Sequence, residues 1–157
     1  MPRMSNQGRA LLTQWEGYKS HVYRDTSDLP TIGVGHLLTE SERFGNYVMI
    51  GIEKVPIALG LTDKQIDSLL MQDLAHFESA VTAMVTVRLT QNQADALISF
   101  AFNLGIGTLH TSTLLRELNA GNYADVPTQM RRFTHSNGVV VPGLVNRREK
   151  EISLWLS

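Results

Sequence analysis

Two capping-box sequences constrain the fold of this chain more than any other feature of its sequence. TDKQ at 62–65 and TQNQ at 90–93 each place a threonine three residues before a glutamine, so the two side chains can satisfy each other's backbone N–H groups at the start of a helix. The first box opens an amphipathic stretch, and the second precedes the apolar run ADALISFAF. We predict a connecting helix over about 62–81, roughly 28 Å long, and a buried helix closed by Gly105. The apolar side of the first helix comprises Ile66, Leu69, Leu70, Phe77 and Val81.

The residues before the first box indicate a helix followed by a small antiparallel sheet. Ser5 is a suitable N-cap for a helix that ends at Glu16, and Gly17 stops it. HVYR and TIGVG are typical of strands, and the SDLP between them is typical of a turn. Residues 40–61 are expected to be irregular, with one short strand around 47–52.

After the second box the pattern is helical to the end of the chain. Short helices are predicted at 112–119 and 122–133, a small hairpin turns at 136–138, and a closing helix covers 144–156. A helix, a small antiparallel sheet and then a series of helices make an α+β arrangement. With 157 residues and neither an internal repeat nor a flexible linker, we expect one domain.

Composition and charge exclude several classes of function. The formal net charge is −1 and no basic patch stands out, which argues against nucleic-acid binding. No apolar run approaches the ~18 residues of a membrane span, and the N-terminal sequence lacks the apolar region of a secretory signal. The chain has no cysteine to act as a nucleophile, and its five histidines lack the spacing of metal ligands. We therefore expect neither a metal nor a cofactor.

Three polar residues near the first predicted strand have the chemistry for cleaving a glycosidic bond. Such cleavage needs a carboxylic acid that protonates the leaving oxygen and a second carboxylate that activates water or attacks the sugar. Glu16 suits the acid, because the negative end of a helix dipole and aromatic neighbours disfavour a charged carboxylate. Asp25 suits the ionised carboxylate, and the hydroxyl of Thr31 can hold a water with it. The aromatic neighbours of Glu16 are Trp15, Tyr18 and Tyr23.

The spacing alone is a weak signal, because a glutamate at a helix end and an aspartate before a turn are usually solvated residues. The three residues stand before IGVGHLLT, however, and this combination resembles the phage-type lysozymes, the T-even phage kind of muramidase that phages use as endolysins. The likeness covers nearly the whole chain, and three longer blocks agree in order. They are QWEGYKSHVYRD, ALISFAFNLGIGTLHTSTLLRELNAGNY and PGLVNRREKEISLW.

The resemblance implies a lysozyme-like α+β fold within one domain, 1–157. A small N-terminal lobe with an antiparallel hairpin sheet would cover about 17–61, and the connecting helix about 62–81. A mainly helical C-terminal lobe would cover about 82–157 together with the first helix, 5–16.

The same resemblance implies roles for individual residues. Glu16 would be the proton donor, and Asp25 with Thr31 would place the water. Hydrolysis would proceed with inversion at the β-1,4 bond between N-acetylmuramic acid and N-acetylglucosamine in peptidoglycan. Arg147 would pair with the catalytic glutamate and orient it, or Arg148, one residue later, would take that part. The residues that match sugar contacts are Leu37, Phe102, Ser112 and Gln129, and His36 matches a structural histidine that pairs with a buried acid.

One departure from the family pattern lies between Asp25 and Thr31. Relatives commonly have glycine where this chain has Asp28, and Pro30 directly precedes Thr31, so we expect the turn to follow a different path. Two alternatives stay open. One is a lysozyme-fold module that binds glycan or protein without cutting, and the other is a lytic transglycosylase, which leaves anhydro ends.

The resemblance also implies a biological setting. Peptidoglycan would be the partner of the chain, and a holin would open the inner membrane because no signal peptide is apparent. We expect a monomer that waits in the host cytoplasm and acts on the cell wall in the periplasm. Membrane insertion and nucleic-acid binding are not expected.

Overall fold

Short helices and antiparallel strands alternate in the first part of the chain, and helices dominate the remainder. The structure, a computed structural model, describes residues 3–157. In chain order its elements are α1 (Asn6–Glu16), β1 (Lys19–Arg24), β2 (Pro30–Gly33), β3 (His36–Leu37), α2 (Glu40–Gly45), β4 (Tyr47–Ile50), β5 (Glu53–Pro56), α3 (Asp63–Met84), α4 (Gln91–Leu104), α5 (Ile106–His110), α6 (Thr113–Asn119), a 3-10 turn (Tyr123–Asp125), α7 (Val126–Met130), β6 (His135–Ser136), β7 (Val139–Val140) and α8 (Pro142–Leu156). This is the predicted α+β class.

Both predicted capping boxes are present. The Gln65 N–H donates to the Thr62 hydroxyl at 3.2 Å, and the Thr62 N–H donates to Oε1 of Gln65 at 2.9 Å. Thr90 and Gln93 make the same pair of bonds at 3.2 and 2.9 Å. The long helix α3 continues three residues past its predicted end, to Met84. The residues that follow Val81 include neither glycine nor proline to end the helix.

The described residues form two compact units. One comprises residues 10–75, and the other comprises residues 3–9 together with residues 76–157. The unit 10–75 contains a three-stranded antiparallel sheet in the order β1-β2-β3, as predicted for HVYR and TIGVG. Gly33 and Gly35, on either side of the turn from β2 to β3, have φ of 63° and 67°. These left-handed values favour glycine and account for the spacing of the IGVG motif. The predicted division into lobes remains a prediction.

The segment 40–61 is more ordered than predicted. It contains the short helix α2 and the hairpin of β4 and β5, where only one short strand was expected. A third capping box starts α2, with Thr39 as N-cap and Glu42 as its partner. We did not predict this helix because its six residues, ESERFG, do not form an apolar stripe. It is fixed by Glu42, which is buried and paired within the unit.

The unit 3–9 with 76–157 is built around the buried helix α4. Residues 94–101 of α4 are all buried, and α4 packs mainly on the closing helix α8. The predicted helix at 122–133 is instead a 3-10 turn followed by α7, because Pro127 cannot donate a backbone hydrogen bond within a continuous helix. Helix α5 was not predicted, since its short sequence IGTLH lies between glycine and a capping serine. Within residues 3–157 no helix combines the length and the apolar character needed to cross a membrane.

Candidate active site

The register of the three-stranded sheet aligns a row of side chains on one face. Thr31 in β2 lies opposite Tyr23 in β1 and opposite Leu37 in β3, and directly opposed residues point to the same side of a sheet. Thr31 is only 1% exposed, and its hydroxyl donates to the Leu29 carbonyl at 2.9 Å. Leu37 is half exposed at the edge of the row. Thr31 is therefore held in one orientation beside an aromatic ring.

Asp25 begins the turn that leads from β1 to β2. Its Oδ1 accepts hydrogen bonds from the N–H groups of Ser27 and Leu29, both at 2.9 Å, and its own N–H donates to the Leu29 carbonyl at 3.0 Å. Within residues 3–157, both side-chain bonds of Asp25 end on Oδ1. The second carboxylate oxygen, Oδ2, is the one left to accept from a water or a ligand.

Asp28 occupies the left-handed conformation that the family's glycine would permit, with φ of 60°. Aspartate tolerates this conformation better than most residues. The Arg24 guanidinium donates to the Asp28 carbonyl at 2.9 Å, and the Asp28 N–H donates to the Asp25 carbonyl at 2.9 Å. Pro30 is the first residue of β2 and lies opposite Arg24. The substitution of glycine by Asp28 therefore leaves a closed turn between Asp25 and Thr31.

Glu16 is the last residue of α1 and is partly buried, and Gly17, with φ of 73°, ends the helix as predicted. Burial raises the pKa of the Tyr23 phenol, the charges of Glu16 and Asp25 raise it further, and the backbone N–H of Gly35 opposes them. Both carboxylates therefore act on one phenol group. Tyr23 thus lies opposite Thr31 and within electrostatic reach of Glu16 and Asp25.

His36 lies on the opposite face of the sheet, where it pairs in register with Ile32. Its Nδ1 is 2.8 Å from Oδ2 of Asp73, and its Nε2 is 3.2 Å from Oε1 of the buried Glu42. Burial lowers the pKa of His36, but the hydrogen bonds and charges of Asp73 and Glu42 outweigh it and leave the pKa raised. His36 therefore links β3 to α2 and α3, in agreement with its predicted role as a structural histidine that pairs with a buried acid.

Glu42 is held by the main chain as well as by His36. Burial raises the pKa of Glu42, but hydrogen bonds from the N–H groups of Thr39 and Met49, together with His36, lower it overall. These bonds measure 3.0 Å to Thr39 and 3.1 Å to Met49. The carboxylate is thus satisfied on both oxygens although it is buried.

Two predicted sugar contacts lie in the unit 3–9 with 76–157. The Phe102 ring packs on Phe77 with centroids 5.2 Å apart and is partly exposed. Ser112 is buried and caps α6, since its hydroxyl donates to the Leu109 carbonyl at 2.7 Å and accepts the Leu115 N–H at 3.1 Å. Both residues have a structural role, and their contact with sugar stays a prediction.

Gln129, the remaining predicted sugar contact, is also engaged within its own unit. Its amide nitrogen donates to Oδ2 of Asp125 at 2.9 Å, and its amide oxygen accepts from Arg132 at 3.0 Å. Gln129 is partly exposed. Its orientation is therefore fixed by Asp125 and Arg132, and its contact with sugar also stays a prediction.

Arg147 and Arg148 belong to one buried network. Glu151, which is fully buried, accepts the Nε–H of Arg147 at 2.9 Å and that of Arg148 at 2.7 Å. Arg147 also donates to the Ser99 hydroxyl at 3.1 Å, and Arg148 donates to Oδ1 of Asn103 at 2.6 Å. The two arginines thus join α8 to α4, and the orienting role predicted for one of them stays a prediction.

Comparison with known proteins decides the family. The family model described as Phage lysozyme matches residues 13–151. The chain belongs to the phage lysozyme family. The family predicted from Glu16, Asp25, Thr31 and the IGVGH motif is therefore confirmed.

Individual relatives of this phage lysozyme family member agree with that assignment. The endolysin of Salmonella phage P22 is 35% identical over 160 residues, which is 100% of both chains. The endolysin of Bacillus phage B103 is 35% identical over 156 residues, covering 98% of this chain and 54% of that protein. The chain thus spans about half the length of the Bacillus phage relatives it matches. The solved muramidase domain of SpmX from Asticaccaulis excentricus has a TM-score of 0.82 and 31% identity, over 100% of this chain and 99% of that one. The lysozyme-like fold is confirmed.

The sequence alone assigned Tyr23 no part beyond apolar surroundings for Glu16. In this phage lysozyme family member Tyr23 instead lies opposite Thr31 and within electrostatic reach of both carboxylates. The sequence did give one indication that Tyr23 belongs near Asp25. Tyr23 stands two residues before Asp25, and side chains two residues apart in a strand point to the same face. The register with β2, which the sequence does not state, was needed to use that signal. Among residues 3–157 no cluster of three or more His, Asp or Glu side chains is arranged to hold a metal ion.

Proposed function

We propose that this chain is an endolysin-type muramidase. It hydrolyses the β-1,4 bond between N-acetylmuramic acid and N-acetylglucosamine in bacterial peptidoglycan, with inversion at the anomeric carbon. The observation that carries the proposal is that Thr31 lies opposite Tyr23 across the sheet while the charges of Glu16 and Asp25 both act on the Tyr23 phenol. The endolysin names of relatives that match along their whole length support it.

The reaction follows from the two carboxylates. Glu16 gives its proton to the glycosidic oxygen while the bond from that oxygen to the anomeric carbon breaks. A water attacks the anomeric carbon from the opposite face and gives its proton to Asp25. Glu16 ends as a carboxylate and Asp25 as a carboxylic acid, and exchange with solvent restores both.

The geometry of the turn supports this use of water. Oδ1 of Asp25 is occupied by the turn, so Oδ2 accepts one proton of the water. The Thr31 hydroxyl donates to the Leu29 carbonyl, so its oxygen accepts the other proton. A water held by two acceptors directs a lone pair outward, as an attacking nucleophile requires.

The other predicted residues have supporting roles in the proposed reaction. Leu37 and Phe102 offer partly exposed apolar surface to sugar rings. Ser112 and Gln129, whose orientations are fixed by their neighbours, offer polar atoms to sugar hydroxyls. Arg147, or Arg148 in its place, orients Glu16 by ion pairing. No cofactor takes part.

The proposed biological role is lysis of a bacterial host. A monomer accumulates in the host cytoplasm, and a holin gives it access to the periplasm, where it cuts the cell wall. Several relatives carry the name SAR-endolysin, among them those of Escherichia phage Mu and bacteriophage PS119. Lysis by this chain expressed with and without a holin would test the release step directly.

The test of the reaction is mass spectrometry of the fragments released from purified peptidoglycan. We expect reducing muramic ends from the unmodified chain and none from Glu16→Gln, because the amide cannot donate the proton. Anhydro ends would indicate a lytic transglycosylase instead. Binding to peptidoglycan without any fragments would indicate a non-catalytic module. The anomer of the fresh product, read by NMR, would test inversion.

A further inference from the structure

The peptide unit that joins Asp28 to Leu29 is held from both sides within the turn that carries Asp25. Its N–H, which belongs to Leu29, donates to Oδ1 of Asp25 at 2.9 Å. Its carbonyl, which belongs to Asp28, accepts a hydrogen bond from Nη1 of Arg24 at 2.9 Å. A trans peptide is planar, and its N–H and C=O point in opposite directions. Asp25 and Arg24 therefore fix the orientation of one rigid plane.

The orientation of this plane determines which oxygen of Asp25 is left for a water. If the plane turned over, the Leu29 N–H would leave Oδ1 and the Asp28 carbonyl would face the carboxylate, where two acceptors repel each other. The Leu29 carbonyl would also shift, and it accepts both the Asp25 N–H at 3.0 Å and the Thr31 hydroxyl at 2.9 Å. One peptide unit thus affects both residues of the proposed water site.

The backbone of the turn gives this orientation little support of its own. Asp28 has a left-handed φ of 60°, which costs an aspartate more than it costs glycine. Pro30, the first residue of β2, has no N–H to give to the sheet. A contact from a side chain outside the turn therefore has a large effect here, and Arg24 supplies that contact.

Arg24 reaches the turn from the side away from the proposed water. It follows Tyr23 directly in β1, so its side chain leaves the opposite face of the strand from Tyr23 and Thr31. Its Nε is also 4.0 Å from Oδ1 of Asp28, but the two side chains are 65% and 88% exposed, and exposed ion pairs contribute little. The hydrogen bond to the Asp28 carbonyl is therefore the contact that matters.

We propose that Arg24 is a positioning residue of the reaction. Its guanidinium fixes the peptide unit between Asp28 and Leu29, so that Oδ1 of Asp25 stays in the turn and Oδ2 faces the water. The inference rests on the proposed muramidase function. Arg24 contacts neither the sugar nor the water and transfers no proton. It keeps the water site in its reactive arrangement whether or not substrate is bound, so its contribution falls on kcat and not on KM.

The test compares Arg24→Met with Arg43→Met on a soluble peptidoglycan fragment. Methionine keeps an unbranched side chain and removes the charge and every donor. Arg43 is a matched control, because it is also exposed and lies in α2 of the same unit. We expect Arg24→Met to lower kcat about threefold to tenfold with KM within about twofold, and Arg43→Met to match the unmodified chain.

Two further variants separate the hydrogen bond from the exposed ion pair. Asp28→Asn removes the carboxylate but keeps the carbonyl that Arg24 contacts, so its kcat should stay within about twofold of the unmodified chain. Arg24→Lys offers an ammonium donor to the same carbonyl and should be faster than Arg24→Met. An Asp28→Asn variant as slow as Arg24→Met would assign the effect to the ion pair and overturn the inference. An Arg24→Lys variant with no recovery would overturn it as well.

The kinetic constants also separate positioning from substrate binding. A loss in Arg24→Met that falls on KM would overturn the inference and make Arg24 a contact of peptidoglycan. An active chain whose kcat is unchanged by Arg24→Met would overturn it while leaving the proposed function intact. An unmodified chain without turnover would overturn the proposed function, and with it the role of Arg24 in the reaction.

Hydrogen exchange tests the peptide unit without relying on activity. In Arg24→Met the Leu29 amide should exchange with deuterated water about threefold to tenfold faster than in the unmodified chain, as followed by NMR. The Ser27 amide donates to the same Oδ1 but belongs to a different peptide unit, so its exchange should change less. Equal exchange of the Leu29 amide in the two proteins would mean that Arg24 does not hold this plane, and would overturn the inference.

Discussion

Asp25 illustrates how much depends on individual atoms in this chain. One carboxylate oxygen builds the turn by accepting two backbone N–H groups, and the other is proposed to hold the water. An aspartate that only formed a turn would need the first oxygen alone. The two functions can therefore be separated by changing one atom.

We predict that Asp25→Asn keeps the fold and loses activity. The amide oxygen can still accept the two turn hydrogen bonds, whereas an NH₂ group in place of Oδ2 cannot accept a proton from water. Thermal unfolding should change little, and release of peptidoglycan fragments should fall by at least roughly a hundredfold. Asp25→Ala should lose activity and also about 1–3 kcal/mol of stability, because two N–H groups lose their acceptor.

Asp28→Asn is the matched control for this experiment. It makes the same chemical change three residues later, at an exposed position, and asparagine also tolerates the left-handed conformation. We expect its activity to stay close to that of the unmodified chain. Equal activity of Asp25→Asn and the unmodified chain would contradict the proposed use of Oδ2.

At the scale of secondary-structure elements, His36 forms a junction within the unit 10–75. One imidazole joins β3 to α2 through Glu42 and to α3 through Asp73. Leu37, the next residue of β3, is the register partner of Thr31. The junction therefore fixes the strand that flanks the proposed water site.

We predict a stability contribution from this junction that is greatest between about pH 4.5 and 6.5. The raised pKa of His36 stabilises the fold below its ordinary value of 6.5, and this contribution is lost as the pH rises through the folded-state pKa. The lowered pKa of Glu42 stabilises the fold above its ordinary value of 4.5, and this contribution is lost as the pH falls through the folded-state pKa. Thermal unfolding from pH 4 to 9, a range set by these two values, checks this.

Two histidine variants decide which group is responsible. His36→Asn should remove the decline of Tm above neutral pH, since asparagine does not titrate. His21→Asn, at an exposed position in β1 of the same sheet, should leave that decline in place. The same decline in both variants would assign it to another group.

At the scale of the whole molecule, stability depends on a buried charge cluster as well as on apolar packing. Glu151 holds Arg147 and Arg148 between α8 and α4, and α4 forms the core of its unit. The cluster is fully paired, with Ser99 and Asn103 accepting further N–H groups. Removing one member therefore leaves buried charge without compensation.

We predict that Glu151→Gln lowers the free energy of unfolding by about 3–5 kcal/mol, because the two guanidinium groups lose their shared counter-charge. Glu149→Gln is the control on the same helix, since Glu149 pairs with Arg131 at 2.7 Å on the exposed surface. Its loss should stay within about 1 kcal/mol. Urea unfolding of the two variants measures both values, and similar losses would contradict a structural role for the cluster.

The sequence by itself determined the features that depend on neighbours along the chain. The boxes at Thr62 and Thr90, the glycine stops and the alternating strands predicted most elements, because caps and turns are local interactions. The Glu16, Asp25 and Thr31 spacing with IGVGH identified the family correctly. The different path expected for the turn at Asp28 and Pro30 stays a prediction.

Only the tertiary structure decided the features that depend on partners distant in sequence. Helix α2 forms around Glu42, whose partner His36 belongs to another element, and Arg147 and Arg148 meet at one buried glutamate. Tyr23 joined the candidate site only when the register with Thr31 was known. Local preferences cannot specify such pairs, because strand register and the burial of charge are set by the packing of whole elements.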